Sequence, residues 1–238
     1  MKELEDFDWF PALFRNFQTR FIGWAVTRFN FYKPFIHYVN AQNLSSKPLT
    51  DLCSGSGEPA LSIFNSSNCF SSLMLTDKYP NPDFKDNINI CYQMQPADVL
   101  QMEFHADRYY TMFNAFHHFS DPEKQQLAAK MKSGKTDVFC VEVLEPTALC
   151  LLKVLCMTTI GCLLFTPFIR PLSFSQLFFT YIIPVNLFTI TFDGIVSVFK
   201  SRSVKQYQLL FANDRHIRIQ QLSYGLGRII VIHISPTV

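Results

Sequence analysis

The chain has 238 residues, 48% of them apolar, and a net charge of +2 from scattered side chains, so it can bury a substantial core and is not a disordered protein. It has no basic run and no arginine-aromatic patch, so nucleic acid is not expected as a partner. Its seven cysteines lack Cys-x-x-Cys spacing and suggest neither a disulfide framework nor a zinc site; free thiols are expected, and no metal.

The acidic start, Met1 to Asp8, lacks the basic and apolar regions of a signal peptide, and a cytoplasmic protein is the expectation. Over residues 9–33, Phe10, Phe14, Phe17, Phe21 and Trp24 recur at spacings of four and three, which puts them on one helical face with Arg15, Asn16 and Thr19 turned away. Such a stripe suits core packing; a cover over a ligand cleft is the functional alternative. Pro34 should end or kink this helix, and residues 40–47 form a polar connector.

Residues 49–60, Leu-Thr-Asp-Leu-Cys-Ser-Gly-Ser-Gly-Glu-Pro-Ala, read as a strand, a tight turn and a helix start. Gly55 and Gly57 accept positive φ and leave room beside the backbone, Pro59 fits the first helical turn, and helix-start N–H groups favour an anion or polar group. A second strand, 72–76, is followed by Asp77, twenty positions after Gly57, where a strand-helix-strand unit sets a carboxylate beside a ribose diol.

A turn-rich passage, Tyr79-Pro80-Asn81-Pro82, leads to a third strand at 88–93 and a second acidic residue, Asp98. A fourth strand at 109–113 runs into Asn114-Ala115-Phe116-His117-His118. Asp121 then reads as the N-cap of a helix ending near Lys132, with Pro122 at its first position. A fifth strand, 137–144, ends in Glu145. Strands alternating with helices imply a parallel sheet covered on both faces, with ligands beyond the carboxyl ends of its strands. Gly55, Asp77, Asp98, Asn114 and Glu145 all fall at such ends.

Between Pro146 and Phe199 only Lys153, Arg170 and Asp193 carry charge, which raises the membrane question. Two spans, 149–168 and 172–191, an interfacial amphipathic pair, and a buried lid are the three alternatives; Lys153, Pro184 and Asn186 weigh against full spanning. Membrane contact through residues 147–199, at the inner face of the cytoplasmic membrane, is therefore an expectation. From residue 203 a helix to Asn213 with Ser203 as N-cap precedes two strands, 217–222 and 228–234, around Tyr224-Gly225-Leu226-Gly227. That hairpin requires one antiparallel strand and makes the sheet mixed at its final edge.

Gly55-Ser-Gly57-Glu-Pro-Ala60 also matches the dinucleotide fingerprint, so a nicotinamide cofactor and an NAD(P)-dependent oxidoreductase compete for the turn. Asp51, which would repel a pyrophosphate, and the final hairpin weigh against it. On Asp51, Gly55, Gly57, Asp77 and that hairpin, the chain resembles the class I S-adenosylmethionine-dependent methyltransferases over residues 48–145 and 203–236, with Cys53 in place of the first glycine of their motif. Residues 51–60, 76–80, 113–119 and 166–198 are similar to a little-characterised bacterial group of that family with an apolar C-terminal segment.

The resemblance implies S-adenosyl-L-methionine as cofactor, with Asp51 toward the methionine ammonium, Cys53, Gly55 and Gly57 shaping the pocket, Asp77 on the ribose, Asp98 on the adenine amino group, and Asn114 and Ala115 beside the methyl. His117 and His118 are the catalytic candidates, for orienting or deprotonating an acceptor; Glu145 and Asp193 are weaker ones that could simply cap a helix. The expected fold is α/β, a three-layer Rossmann-like mixed sheet. Its divisions are an N-terminal aromatic helical cover (1–47), a cofactor-binding core (48–145), an apolar helical insertion (146–200) and a final helix and hairpin (201–238). The expected activity is methyl transfer to a small or lipid-like acceptor; a non-catalytic, membrane-associated cofactor-fold binding protein is the other alternative.

Overall fold

In the computed structural model, which describes residues 2–212, 214–225 and 227–236, seven strands form one sheet. They are β1 (Lys47–Leu52), β2 (Phe70–Thr76), β3 (Ile90–Tyr92), β4 (Tyr109–Phe113), β5 (Val138–Glu142), β6 (Ile217–Tyr224) and β7 (Gly227–Ile234), in the order β3-β2-β1-β4-β5-β7-β6. β1 to β5 pair in parallel, and β7 lies antiparallel between β5 and β6. Every residue of β4 and β5 is buried, which is why both read as unbroken apolar runs. Met1, Asn213 and Leu226, on which the acidic start, the expected last-helix end and the hairpin turn partly fall, lie outside the described residues.

The helices are α1 (Ala12–Arg28), α2 (Lys33–Asn40), α3 (Ala60–Ser66), α4 (Asp121–Ser133), α5 (Ala148–Cys156), α6 (Cys162–Phe165), α7 (Phe174–Tyr181), α8 (Val185–Lys200) and α9 (Val204–Leu210). Phe35 and Val39 of α2 and Ile63 of α3 pack on one face of the sheet with Leu73, Phe139, Ile229 and Val231. Leu127 and Met131 of α4 and Tyr207 of α9 pack on the other with Met112, Cys140, Ile230 and Ile232. Successive β7 residues thus feed opposite cores, as strand alternation requires. The result is a three-layer Rossmann-like mixed sheet.

Several element ends move from their sequence expectation. Ser120, not Asp121, caps α4, through a capping box with Glu123 that the Ser-x-x-Glu spacing permits. Pro34 starts α2 rather than ending α1, because Asn30 at φ +54 has already turned the chain.

The insertion is where tertiary packing decides most. Ala148–Phe168 is one helical run of 21 residues with mean hydropathy 2.2, long and apolar enough to cross a membrane, and only 17% of its most apolar window is buried. α7 and α8 meet at a 77° bend, so the second expected span is broken. α8 also commits one face to the protein, burying Asn186, Ile190, Asp193 and Ser197. α1 is held between the insertion and the sheet. Its aromatic face meets the insertion, with Phe14 on Phe179, Trp24 on Phe165, and Phe21 among Cys162, Ile169 and Ile190. Its polar side does not face solvent as the periodicity suggests. Arg15 is buried, its guanidinium 3.7 Å over the Tyr79 ring, because that side lies on the sheet edge.

Candidate functional site

The carboxyl end of β1 turns through Cys53, Gly55 and Gly57, at φ of +56°, +52° and +94°. Cys53 therefore takes the left-handed conformation that usually falls to glycine, at a cost of about 1–2 kcal/mol for a residue with a Cβ. Ser54 pins the turn to β2: its N–H donates to the Thr76 carbonyl at 2.9 Å, and its hydroxyl accepts from the Thr76 N–H at 3.1 Å. The Tyr92 hydroxyl donates to the Gly55 carbonyl at 2.9 Å. Asp77 closes the arrangement, one oxygen accepting from Gly55 N–H and the other from Tyr79 N–H, both at 2.8 Å.

Three of the expected carboxylates lie at this edge: Asp51 near the end of β1, Asp77 after the β2 residue paired with Leu52, and Asp98 next to Ala97, whose N–H donates to the Asp77 carbonyl at 2.8 Å. Burial raises the Cys53 thiol pKa well above its usual value, and the negative charges of Asp77, Asp51 and Asp98 add to the rise. Asp51 is 2% exposed and accepts from the Thr111 hydroxyl at 2.7 Å. Burial pushes its pKa up to about 7, against the Thr111 and Ser54 hydrogen bonds. Burial also raises Asp77. Asp98 is exposed and accepts from the Leu100 N–H at 3.0 Å, capping the next turn.

The expected anion-binding helix start is not free. α3 has seven residues, and the Ser62 N–H and hydroxyl donate to the Glu58 carboxylate at 3.2 and 2.7 Å, while the Leu61 and Ile63 N–H groups are taken by the carbonyls of Gly57 and Pro59. A negative side chain thus sits where a pyrophosphate would need open donors.

The open side of the turn is covered by α1. A Cβ on Gly55 would stand 3.1 Å from the Thr19 methyl, and Ser56 donates to the Thr19 carbonyl at 3.0 Å. On Gly57 a Cβ would meet Leu75 and Leu61. Gly55→Ala should therefore destabilise by about 1–2 kcal/mol, from positive φ and crowding together. A urea midpoint unchanged by that substitution would mean the turn relaxes freely.

Asn114, at φ +49, and Ala115 follow β4 one strand away; the Asn114 side chain accepts from the Val143 N–H at 3.4 Å. The histidines meet the N-terminal segment and the end of β5. His117 is 1% exposed, with Nδ1 2.7 Å from Glu142 Oε2. His118 Nδ1 lies 2.9 Å from Asp6, and its Nε2 lies 3.4 Å from Glu3. Burial opposes a charge on His118, but Glu3 and Asp6 outweigh it and lift its pKa to about 9.

Asp193 of α8 accepts from the Leu4 and Glu5 N–H groups and so caps the short turn Leu4–Asp6. Glu145 is engaged by Gln221 on β6 at 2.6 Å and stands outside this group. Sequence reasoning missed Glu3, Asp6, Thr19 and Glu142. Only Glu142 carries a local signal, a charge inside the apolar run Val138–Glu142.

No protein-family model and no curated protein matches the chain. Among solved structures it is similar to the mitomycin 7-O-methyltransferase MmcR, at 13% identity and TM-score 0.46, over 82% of this chain and 49% of that one. It is similar also to human N-acetylserotonin methyltransferase in complex with SAM, at 15% identity and TM-score 0.43, over 79% and 47% of the two chains. A SAM-dependent methyltransferase from Aquifex aeolicus gives 9% identity and TM-score 0.46, over 83% and 88%. The chain thus spans about half the length of the first two proteins.

Proposed function

We propose that the chain is an S-adenosylmethionine-dependent methyltransferase acting on a small or lipid-like acceptor. The observation that carries this reading is the placement of Asp51, Asp77 and Asp98 at one sheet edge: β1 pairs with β2 up to Leu52 and Thr76, Asp77 accepts from the Gly55 N–H, and the Ala97 N–H donates to the Asp77 carbonyl. A sulfonium with an α-ammonium brings positive charge to that acidic edge, whereas a dinucleotide pyrophosphate would bring negative charge to Asp51, Asp77 and the Glu58 that caps α3.

The residues fit such a donor in kind. Each Asp77 oxygen accepts a single backbone N–H and keeps a second lone pair for a vicinal diol. Asp98 would take the adenine amino group, Asp51 the ammonium end, and Cys53, Gly55, Gly57, Asn114 and Ala115 would wall the pocket. Because Thr19 covers Gly55, α1 must move off the turn to admit the ligand.

The bound donor would supply an activated methyl group. The protein's part is then to hold donor and acceptor in line and keep water out. His117 and His118 would shape the loop that carries Asn114 and Ala115, since Glu142, Asp6 and Glu3 surround their ring nitrogens.

Calorimetric titration should show micromolar binding of S-adenosylmethionine or its demethylated product and none of NAD(P). Binding of the nicotinamide dinucleotide instead would overturn the reading. A second reading, a cofactor fold kept without catalysis, is favoured by the closed turn; donor binding without turnover on a broad acceptor panel would support it.

The apolar insertion supports a lipid-like acceptor and contact with the membrane interface. Leu164, Phe168, Phe174, Ile182 and Phe188 stand exposed on it, while its inner side packs on the α1 that covers the turn. The chain should float with anionic liposomes, and Phe168→Glu with Phe174→Glu should return it to the soluble fraction. A wild-type chain that stays monodisperse and does not float would sink the membrane assignment.

A further inference from the structure

We propose that Glu3, His117 and His118 form a binding site for a divalent transition metal of the zinc type, which clips the N-terminal segment onto the sheet edge. The three side chains bring ligand atoms within 4.8 Å of one another. His117 Nε2, on a residue only 1% exposed, has no hydrogen-bond partner among the described residues, and it faces Glu3, whose Oε1 is met by the Lys200 ammonium at 3.2 Å and whose Oε2 accepts from the Ser197 hydroxyl at 2.8 Å. An orphaned nitrogen so deeply buried is costly, and a cation between it and the Glu3 carboxylate would satisfy it.

The surroundings fit a metal in three respects. Each histidine has Nδ1 against its own carboxylate, Glu142 for His117 and Asp6 for His118. Partners so placed hold the Nδ1 proton, so that a metal displacing a proton from Nε2 would find its lone pair there, the arrangement seen around metal-bound imidazoles. The separations also suit an ion. His118 Nε2 is 3.4 Å and His117 Nε2 3.9 Å from the Glu3 oxygens, while tetrahedral ligands at zinc distances stand about 3.3 Å apart. Small side-chain movements close the difference.

Charge is the third respect. Four carboxylates, Glu3, Glu5, Asp6 and Glu142, stand against the two imidazoles, and the one ammonium among them is that of Lys200, 3.2 Å from Glu3 Oε1 and 3.3 Å from Asp6. The excess of carboxylates favours a cation at this place. Two imidazoles and one carboxylate are the donor set of zinc and its neighbours, not of magnesium or calcium. The fourth position would fall to water.

Its histidines are those that follow Asn114 and Ala115, but its test reads metal rather than turnover, so its failure leaves the methyl-transfer reading standing. A tag-free full-length chain is stripped with chelator and titrated with zinc near neutral pH. The Cys91→Ser, Cys156→Ser background is used, because those two thiols are exposed. One zinc per chain at sub-micromolar affinity is expected, with a rise in Tm of roughly 5–10 °C at a hundredfold excess over Kd. Cobalt in place of zinc should give the visible bands of a tetrahedral site, and amide exchange in residues 2–8 should rise when the metal is removed.

Glu3→Gln, which keeps the side chain's shape, and His118→Asn, with folding verified by circular dichroism, should each weaken zinc at least tenfold and abolish the cobalt bands. A stripped wild-type chain that takes up no zinc would show the cluster to be an ion-pair network around Lys200 and overturn the proposal. So would either variant binding zinc as tightly as the parent.

Discussion

Asp77→Ala should abolish measurable binding of S-adenosylmethionine. Its carboxylate would accept two ribose hydroxyls through charge-assisted hydrogen bonds, each contributing about 1.5–3 kcal/mol, so the loss corresponds to a fall in affinity on the order of 10²–10⁴-fold. The substitution also frees the Gly55 and Tyr79 N–H groups that Asp77 now holds at 2.8 Å, which loosens the turn. Asp77→Asn separates the two effects: its amide oxygen can still hold one of those N–H groups, while the charge is gone. Calorimetry of both variants is the measurement. If Asp77→Ala binds the donor within threefold of wild type, the ribose lies elsewhere and the site assignment fails.

Asp51→Asn should stabilise the protein at alkaline pH while weakening the donor. The Asp51 pKa is pushed from 3.8 up to about 7, chiefly by burial. Below about pH 4 the carboxyl is protonated in folded and unfolded chains alike, and adds no pH dependence. Between there and about pH 7 the folded state keeps a proton that the unfolded chain has lost, so this group's contribution to stability falls as pH rises. Above about pH 7 the full cost is present, on the order of 4 kcal/mol.

Asparagine keeps an acceptor for the Thr111 hydroxyl and carries no charge. The Tm of Asp51→Asn should therefore exceed that of wild type by several degrees near pH 8.5 and converge with it near pH 4, read from melts across that range. Donor affinity should fall about tenfold or more, because the ammonium loses its counter-charge. A Tm difference that is the same at both pH values would show that Asp51 titrates normally, and the buried-carboxylate account would fall.

As candidates, these two residues can be picked out of the sequence because each stands next to a local mark. Asp51 closes the apolar run before Gly55, and Asp77 follows the strand that the parallel repeat requires. The same holds for the sheet, whose buried strands β4 and β5 are continuous apolar segments and whose last pair announces itself by a glycine turn. Harder to read were side chains whose partners are remote. Glu3 meets His118 across more than a hundred residues, and nothing local in the acidic start distinguishes Glu3 from Glu5.

Sequence by itself determined the strand pattern, the glycine turn with its acidic neighbours, and the apolar character of the insertion, because periodicity, turn chemistry and composition are local properties of the chain. Only the tertiary structure decided which face of α1 lies on Gly55, that α7 and α8 bend by 77° where one span was expected, and that His117 and His118 meet Glu3, Asp6 and Glu142. The physical reason is common to all three. A helix face or an imidazole takes the partner that best satisfies its buried surface and its ring nitrogens, and that partner is supplied by the fold from distant parts of the chain.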